Sequence, residues 1–176
     1  MLVKKVGKYF LCTSLLNRVR FFVLDENAVY VYYHIWIVRD YERLVKPRGI
    51  VLDIGAHVGL FTLRCLKSSN TSLVVALEPH PENARLLYTN VLMNGLRNRV
   101  IIVSAAAGPK NGRAKLFIAN ASSEHSLVPL KDKQSIDVNM VSLDGLVDSL
   151  NLQSIDYIKI DVEGAELEVI RGGARS

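Results

Sequence analysis

The sequence has few cysteines and no long apolar run. Its two cysteines, Cys12 and Cys65, lie far apart and form no C-x-x-C pair, so neither a disulfide framework nor a zinc site is predicted, and a reducing compartment fits. The four histidines are equally scattered, so we expect no metal site. No run approaches the roughly 18 apolar residues of a membrane-spanning helix. We therefore expect a cytoplasmic protein without a membrane span.

The N-terminus resembles a signal sequence only loosely. Three lysines precede an apolar patch at residues 9–16, but this patch is short, is followed at once by basic residues and lacks a small-residue cleavage site. A basic helix lying on a membrane surface is our second-ranked interpretation of this segment.

The composition is that of a folded domain. Hydrophobic residues make up 49% of the 176 residues and charged residues 22%, which is enough to bury one core and argues against disorder. The formal net charge of +5 is compatible with RNA, acidic lipid headgroups or an anionic metabolite, and it selects none of them.

Residues 1–48 differ in pattern from the rest of the chain. Two runs rich in β-branched and aromatic residues, 21–24 and 29–33, flank Asp25-Glu26-Asn27 and predict a β-hairpin. Residues 36–45 then predict a short helix. We expect this section to be an N-terminal extension made of a hairpin and a helix.

From residue 50 onwards, short apolar strands alternate with amphipathic helices. The predicted strands are 50–54, 73–77, 100–103 and 155–160, and the predicted helices run through Leu60–Leu66, Pro81–Val91, Leu143–Leu150 and Glu166–Arg171. An antiparallel pair, 115–119 and 136–141, is predicted around a polar loop at 120–134. This alternation predicts βαβ units and hence an α/β fold with a mostly parallel sheet.

The turn after the first of these strands predicts the ligand. Ligands of open α/β sheets bind beyond the carboxyl ends of the strands, and here the chain reads Asp53-Ile54-Gly55-Ala56-His57-Val58-Gly59. A dinucleotide fingerprint starting at Gly55 needs glycines where the sequence has His57 and Leu60, and Asp53 would repel a diphosphate. S-adenosylmethionine, which carries an ammonium and a sulfonium group, fits better. The residues predicted to bind it are Asp53, Gly55, Ala56 and Gly59.

Two further positions extend this predicted cofactor site. Glu78-Pro79 ends the second strand, one βα crossover after Asp53, where a carboxylate accepts hydrogen bonds from both ribose hydroxyls. Ala105, after the third strand, would leave room for a flat adenine ring. The competing interpretation is an α/β domain whose glycines serve only packing and whose Glu78 is solvated.

Three blocks, in this order, resemble the FkbM-type methyltransferases: Val51–Gly59, Glu78-Pro79 and Ile158–Glu166, which reads I-K-I-D-V-E-G-A-E. The resemblance implies a Rossmann-like class I sheet, S-adenosylmethionine as cofactor, and methylation of a hydroxyl group on a sugar or another small metabolite. The resemblance covers the domain that we place at residues 49–176. The extension at residues 1–48 carries no motif that matches the family.

The same resemblance leads us to expect an incomplete domain. A full class I sheet continues with further strands after the fourth, so we expect the C-terminal part to be truncated here. The strand at 155–160 would then be an exposed apolar edge, which a second copy of the chain would cover.

Asp161 and Glu163 follow the fourth strand, on the rim where the methyl acceptor belongs. We predict that one of them positions or deprotonates the acceptor hydroxyl. Equally weighted is the alternative that Asp161 pairs with Lys159 and that Glu163 favours the N-terminus of the next helix. His125, in the polar loop, is a further candidate for the acceptor pocket, although a loop histidine is more often solvated.

Two other functions remain open at this point. An RNA methyltransferase is compatible with dispersed basic pairs, although no RNA-binding module is recognisable: Lys4/Lys5, Arg18/Arg20, Arg97/Arg99 and Lys131/Lys133. A non-catalytic module that offers an interaction surface would explain an exposed sheet edge, but the intact ligand motifs oppose it.

Overall fold

The computed structural model describes residues 1–25 and 27–175. Ten strands are found there: β1 (Leu2–Val6), β2 (Tyr9–Ser14), β3 (Val19–Val23), β4 (Gly49–Ile54), β5 (Thr71–Leu77), β6 (Val100–Val103), β7 (Ala106–Ala107), β8 (Gly112–Phe117), β9 (Ser135–Val141) and β10 (Tyr157–Ile160). The α-helices are α1 (Asn27–Tyr33), α2 (Leu60–Leu66), α3 (Pro81–Met93), α4 (Leu143–Leu150) and α5 (Glu166–Arg171). A π-helical turn spans His34–Val38, and short 3₁₀ turns span Asp40–Glu42 and Arg97–Arg99.

The central sheet has four parallel strands in the order β10-β4-β5-β6. Leu52 and Ile54 of β4 are fully buried on one face, in the core formed with α4 and α5. Val51 is fully buried on the opposite face, in the core formed with α2 and α3. Burial on both faces explains why the sequence of this strand is continuously apolar. The predicted α/β, Rossmann-like fold is confirmed.

The strand β10 forms one edge of this sheet. It pairs in register with β4, so that Lys159 lies beside Asp53. Within the described residues β10 has no second neighbouring strand, and its Ile158 is 40% exposed.

A smaller sheet packs beside the central one, in the order β7-β9-β8. The strands β8 and β9 are antiparallel, with Gly112 opposite Met140 and Phe117 opposite Ser135. This confirms the predicted antiparallel pair, although β8 begins and ends earlier than the sequence pattern indicates.

The predicted N-terminal hairpin is wrong. Residues 29–33 belong to α1, and Glu26 of the predicted turn lies outside the described residues. Aromatic and β-branched composition favoured a strand, but Tyr32 and Trp36, four residues apart, are buried and stack with ring centroids 5.9 Å apart. Burial of this one stripe selects helical geometry over strand propensity.

The first 23 residues instead form an antiparallel sheet in the order β1-β2-β3. Its middle strand contains most of the apolar patch at 9–16, so the membrane-surface helix is also wrong. The single helix predicted at 36–45 is replaced by the π-helical and 3₁₀ turns. No helix among the described residues combines the length and apolar character needed to cross a bilayer.

The N-terminal sheet docks on α3 through two asparagine side chains. Asn90 accepts a hydrogen bond from the Phe22 N–H at 2.6 Å and donates to the Phe22 carbonyl at 2.9 Å. One turn later, Asn94 accepts from the Arg20 N–H at 3.1 Å and donates to its carbonyl at 2.6 Å. The two asparagines thus pair with the edge of β3 that β2 leaves open. At the other edge of this sheet, all five residues of β1 are exposed.

Candidate functional site

A cavity of about 660 Å³ opens at the carboxyl ends of the central strands. Its lining comes from the turn after β4, the end of β5, residues 105–107, the loop between β8 and β9, the turn after β10, and the segment 30–41. This volume is typical of small-molecule sites, and the location is the one expected for an open α/β sheet.

The turn between β4 and α2 brings main-chain groups to the cavity. Gly55 has φ +76°, and a Cβ atom there would lie 1.9 Å from the Asp161 carbonyl oxygen, so only glycine fits between the two turns. Gly55, Ala56 and His57 line the cavity. The His57 Nε2 lies 2.8 Å from Ser122 Oγ, and burial lowers the pKa of the imidazole to about 4, which leaves it neutral at neutral pH.

Glu78 is a buried carboxylate at the end of β5. Its Oε2 accepts a hydrogen bond from the His57 N–H at 2.7 Å, and its Oε1 accepts from the His80 N–H at 2.9 Å. Burial raises the pKa of Glu78 to about 7, against the opposing effect of these two hydrogen bonds. The competing interpretation of a solvated Glu78 is therefore wrong. Glu78, Pro79 and Ala105 line the same cavity.

Asp53 lies in β4 and Gly59 lies directly before α2, and neither residue lines the cavity. Asp53 is fully buried, accepts a hydrogen bond from Thr62 Oγ1 at 2.5 Å, and pairs with Lys159 Nζ at 3.3 Å. A Cβ atom on Gly59 would lie 2.2 Å from Leu87 Cδ1, so this glycine serves the packing of α2 on α3. Direct ligand contact was predicted for both residues, and for both it stays a prediction. The cation beside Asp53 comes from β10, which sequence spacing did not reveal.

Asp161 and Glu163 both line the cavity. Asp161 Oδ2 accepts a hydrogen bond from the Tyr41 hydroxyl at 2.6 Å and lies 3.5 Å from Lys159 Nζ. That ammonium also donates to the Gly55 carbonyl at 2.6 Å, so one buried cation connects the two turns. The pairing of Asp161 with Lys159, foreseen as the structural alternative, is present.

The structural alternative for Glu163, a favourable charge beside the N-terminus of the next helix, stays a prediction. The main-chain N–H groups of Val162 and Gly164 donate to Glu166 Oε1, at 3.3 and 3.1 Å, so Glu166 serves the helix N-terminus. Glu163 has φ +53°, a conformation rare for a residue with a side chain. Burial, and then the charge of Asp161, raise the pKa of its carboxyl. A carboxylate with these properties facing a cavity is a functional candidate.

The polar loop covers one side of the cavity. The Ser122 carbonyl accepts a hydrogen bond from Asn83 Nδ2 at 2.9 Å, and Ser126 Oγ donates to the Glu163 carbonyl at 2.6 Å. His125 lines the cavity and packs on His80, with ring centroids 4.4 Å apart. Burial lowers the pKa of His125 to about 4. This histidine is therefore held in the site and is not a solvated loop residue.

Residues of the N-terminal extension also reach the cavity, which the sequence did not predict. Tyr30, His34, Asp40 and Tyr41 line it, and the Tyr41 hydroxyl donates a hydrogen bond to Asp161. Within the described residues, no group of three or more His, Cys, Asp or Glu side chains is placed to hold a metal ion.

The cavity fits S-adenosylmethionine better than a phosphorylated nucleotide. Glu78 offers a buried acceptor for ribose hydroxyls, and the small side chains of Ala105–Ala107 leave room for a flat base. Asp161 and Glu163 supply negative charge for a cationic ligand. The ammonium of Lys159, which a diphosphate would need, is already paired with Asp53 and Asp161.

Comparison with known proteins gives a consistent result. Residues 53–176 match the methyltransferase FkbM domain. The chain is 25% identical to methyltransferase sdnD of Sordaria araneosa, aligning 89% of this chain with 73% of that protein. It is 28% identical to the 2-O-methyltransferase NoeI of Sinorhizobium fredii (74% of this chain, 59% of that protein). It is 24% identical to the hexuronic acid methyltransferase AglP of Haloferax volcanii (78% and 59%).

A solved structure shares the fold. The crystal structure of methyltransferase FkbM from Methylobacillus flagellatus superimposes with a TM-score of 0.55 at 20% identity, covering 82% of this chain and 33% of that one. The chain thus spans about three fifths of two curated relatives and a third of the crystallised protein. On the family match over residues 53–176, the chain belongs to the FkbM methyltransferases, Rossmann-like enzymes that depend on S-adenosylmethionine.

Proposed function

We propose that this chain transfers a methyl group from S-adenosylmethionine to a hydroxyl group of a sugar or another small metabolite. The observation that carries the proposal is one cavity with the buried carboxylate of Glu78 on one side and those of Asp161 and Glu163 on the other. Two relatives, a 2-O-methyltransferase and a hexuronic acid methyltransferase, support a sugar hydroxyl as acceptor.

The cofactor side of the proposed site lies over β4, β5 and β6. Gly55 and Ala56 let the ligand approach the main chain, and Glu78 accepts hydrogen bonds from the ribose hydroxyls. Pro79 and Ala105 flank the base. Asp53 and Gly59 act indirectly, because their contacts with Thr62 and Leu87 fix the position of the turn.

The acceptor side lies between the turn after β10 and the N-terminal extension. When bound, the cofactor supplies an electrophilic methyl group on a sulfonium centre. Asp161, fixed by Tyr41 and Lys159, and Glu163 accept hydrogen bonds from acceptor hydroxyls and so orient the reacting oxygen. The loop at 120–134 excludes water. In this proposal residues 49–176 form the cofactor-binding domain, and residues 1–48 are an extension that completes the acceptor side.

Isothermal titration calorimetry with S-adenosylmethionine tests the cofactor site. We expect Glu78→Gln to weaken binding by about tenfold or more, because hydrogen bonds to charged groups contribute roughly 1.5–3 kcal/mol. Glu82→Gln is the matched control: this glutamate begins α3, pairs with Lys8 at 2.5 Å and lies outside the cavity lining, so affinity stays unchanged. Absence of any binding heat in the wild-type chain would contradict the proposal.

Release of S-adenosylhomocysteine tests the acceptor class. The probes are methyl glucuronoside, methyl glucoside and an unmodified RNA hairpin, and we expect turnover with a glycoside. Asp161→Asn and Glu163→Gln should raise the KM for the glycoside more than they lower kcat, because these residues orient the acceptor. Turnover of the RNA alone would overturn the assignment of a small-molecule acceptor.

A further inference from the structure

A histidine–aspartate pair lies in the cavity wall outside the three sequence blocks shared with the family. His34 Nδ1 and Asp40 Oδ2 are 2.5 Å apart, and both residues line the cavity. Their side chains are 34% and 31% exposed, so a ligand in the cavity can reach the pair although most of its surface is buried. Tyr41, the residue after Asp40, also lines the cavity, and its hydroxyl donates a hydrogen bond to Asp161 on the proposed acceptor side.

The backbone builds this pair by an irregular route. His34 begins the π-helical turn, which ends at Arg39 with φ +60°, a left-handed conformation that turns the chain sharply. This reversal returns Asp40 to the ring of a residue six positions earlier, a spacing that no regular helix brings together. π-helical turns are rare and occur frequently at functional sites.

The position of the imidazole is fixed by its neighbours. Ile35 and Trp36, the next residues of the turn, are buried in the core and anchor it. The Tyr30 ring packs on the His34 ring with centroids 4.2 Å apart. The ring therefore has little freedom to leave the cavity wall.

The charge on Asp40 sets the state of the imidazole. The hydrogen bond from His34, and then the charge of Arg43, hold the pKa of this carboxyl below its usual value, so it is ionised. An ionised carboxylate only accepts hydrogen bonds, so the proton of a neutral His34 lies on Nδ1. Nε2 then carries the free lone pair, and no group in residues 1–25 or 27–175 hydrogen-bonds to it.

Of the two carboxylates in the turn after β10, Asp161 is less suited to proton abstraction. Asp161 already accepts from Tyr41 and lies beside the Lys159 ammonium, two partners that weaken it as a base. Glu163, whose carboxyl pKa is raised by burial, is the competing base in this cavity. An imidazole with an oriented, unused nitrogen is the commonest general base of enzymes.

We propose that His34, oriented by Asp40, is the general base of the methyl transfer. The hydroxyl proton of the acceptor passes to Nε2 while the acceptor oxygen forms a bond to the methyl carbon. The bond between that carbon and the sulfonium sulfur breaks, and its electron pair stays on sulfur. The products are the methyl ether, neutral S-adenosylhomocysteine and an imidazolium paired with Asp40. This inference rests on the proposed function, because it requires a hydroxyl acceptor.

Other titratable groups share the cavity and must be separated from His34 in any pH profile. They come from the N-terminal segment, the turn after β4, the end of β5, the polar loop and β10 with its turn: Tyr30, Asp40, Tyr41, His57, Glu78, Glu124, His125, Lys159, Asp161 and Glu163. Comparing the pH profiles of variants at His34 and Asp40 with that of the wild-type chain separates the contribution of His34 from those of the other groups.

The first test reads the tautomer without cofactor or acceptor. Long-range ¹H–¹⁵N correlation spectra of the full chain, assigned by the loss of one set of signals in His34→Gln, report which nitrogen carries the proton. We expect the Nδ1–H form in the wild-type chain and a shift to the Nε2–H form in Asp40→Asn, because the asparagine amide can donate to Nδ1. A wild-type Nε2–H form would overturn the proposal, since that nitrogen could not accept a proton.

The second test is kinetic, with methyl glucuronoside as acceptor. We expect His34→Gln to lower kcat by roughly 100-fold or more, with the KM and the S-adenosylmethionine Kd changed by less than about threefold. Asp40→Asn should lower kcat by about tenfold or more. The dependence of kcat on pH should differ between His34→Gln and the wild-type chain.

Tyr33→Phe is the matched control. Its ring packs edge-on against His34 at 5.8 Å, but Tyr33 is 52% exposed and lies outside the cavity lining. Its kcat should equal that of the wild-type chain. His34→Gln with wild-type kcat and a wild-type pH profile would overturn the base assignment while leaving the proposed function intact. A wild-type chain that binds S-adenosylmethionine but methylates no glycoside would instead refute the acceptor class, and the tautomer spectra would then decide the state of His34 alone.

Discussion

In the turn between β4 and α2, Gly55 and Gly59 look equivalent in the sequence but are held by different neighbours. Both have positive φ, +76° and +84°, so any side chain strains the backbone at either position. An added Cβ at Gly55 meets a main-chain oxygen, that of Asp161, whereas at Gly59 it meets the end of the flexible Leu87 side chain. Only the first contact forces a neighbouring turn to move.

We therefore expect Gly55→Ala to lower the free energy of unfolding by about 3 kcal/mol or more and to abolish S-adenosylmethionine binding. Gly59→Ala should cost only about 1–2 kcal/mol and should keep measurable binding, since Leu87 can change rotamer. Urea denaturation and calorimetry measure the two quantities. Equal losses in both variants would show that φ alone, and not the Asp161 contact, determines the requirement for glycine.

Between elements, the attachment of the N-terminal sheet depends on side chains of one helix. Asn90 is fully buried and makes a third hydrogen bond, to the Val58 carbonyl at 2.8 Å, so it links β3, α3 and the turn before α2. Asn94 makes the equivalent contacts to Arg20 near the surface. Together these amides replace the neighbouring strand that β3 lacks on this side.

Asn90→Ala should lower the free energy of unfolding by about 3 kcal/mol, because it leaves buried N–H and C=O groups without partners. Asn94→Ala should cost about 1 kcal/mol, since water reaches its partners. Leu92→Ala, at a side chain that is 55% exposed on the same helix, is the control and should change stability by less than about 0.5 kcal/mol. The three variants are compared by urea denaturation, and similar costs for Asn90 and Asn94 would refute the role of burial.

For the whole molecule, buried titratable groups act on stability in opposite directions. The pKa of Glu78 is raised from 4.5 to about 7, so across this window the folded chain keeps a proton that the unfolded chain releases, and stability falls as pH rises. The pKa values of His57 and His125 are lowered from 6.5 to about 4, so across that window the unfolded chain holds the extra protons and stability rises with pH. The windows overlap, and the contributions partly cancel.

Glu78→Gln should remove the falling contribution. The unfolding free energy of this variant should therefore rise more steeply between pH 4.5 and 6.5 than that of the wild-type chain. Any change in stability that the substitution causes equally at every pH does not affect this slope. Urea titrations at a series of pH values give the slope. Glu82→Gln is the control, because Lys8 lowers the pKa of Glu82 from 4.5, so loss of this group can make the slope only shallower, and only at the acid end of the window. Parallel slopes for Glu78→Gln and the wild-type chain would contradict an abnormal titration of Glu78.

The parallel-sheet part of the fold was predictable because each strand and helix there has its own periodicity. The continuous apolar run of β4 and the repeat at Ala84, Leu87 and Val91 in α3 each determine one element without help from distant residues. In the N-terminal extension, composition and burial disagree. There Tyr32 belongs to a helix, because its contacts with Phe21 and Trp36 outweigh strand propensity.

The site was predictable only where one segment determines it. The glycine bend at Gly55 and the acid at Glu78 follow directly from strand ends. The pairing of Asp53 with Lys159 depends on the register between β4 and β10, and the approach of Asp40 to His34 depends on a left-handed residue after a π-helical turn. Neither leaves a local sequence signal, so the buried ion pair and the histidine–aspartate pair emerged only with the fold.

Because the side chains of Asn90 and Asn94 cover the edge of β3, the described part of the N-terminal sheet has one open edge, the outer side of β1. A row of free main-chain groups there is a template onto which another polypeptide can add itself. Lys4 and Lys5 occupy successive positions of β1 and therefore point to opposite faces, so an incoming strand meets a positive charge on either side. Lysines on an edge strand are one of the features by which proteins disfavour pairing with a further strand.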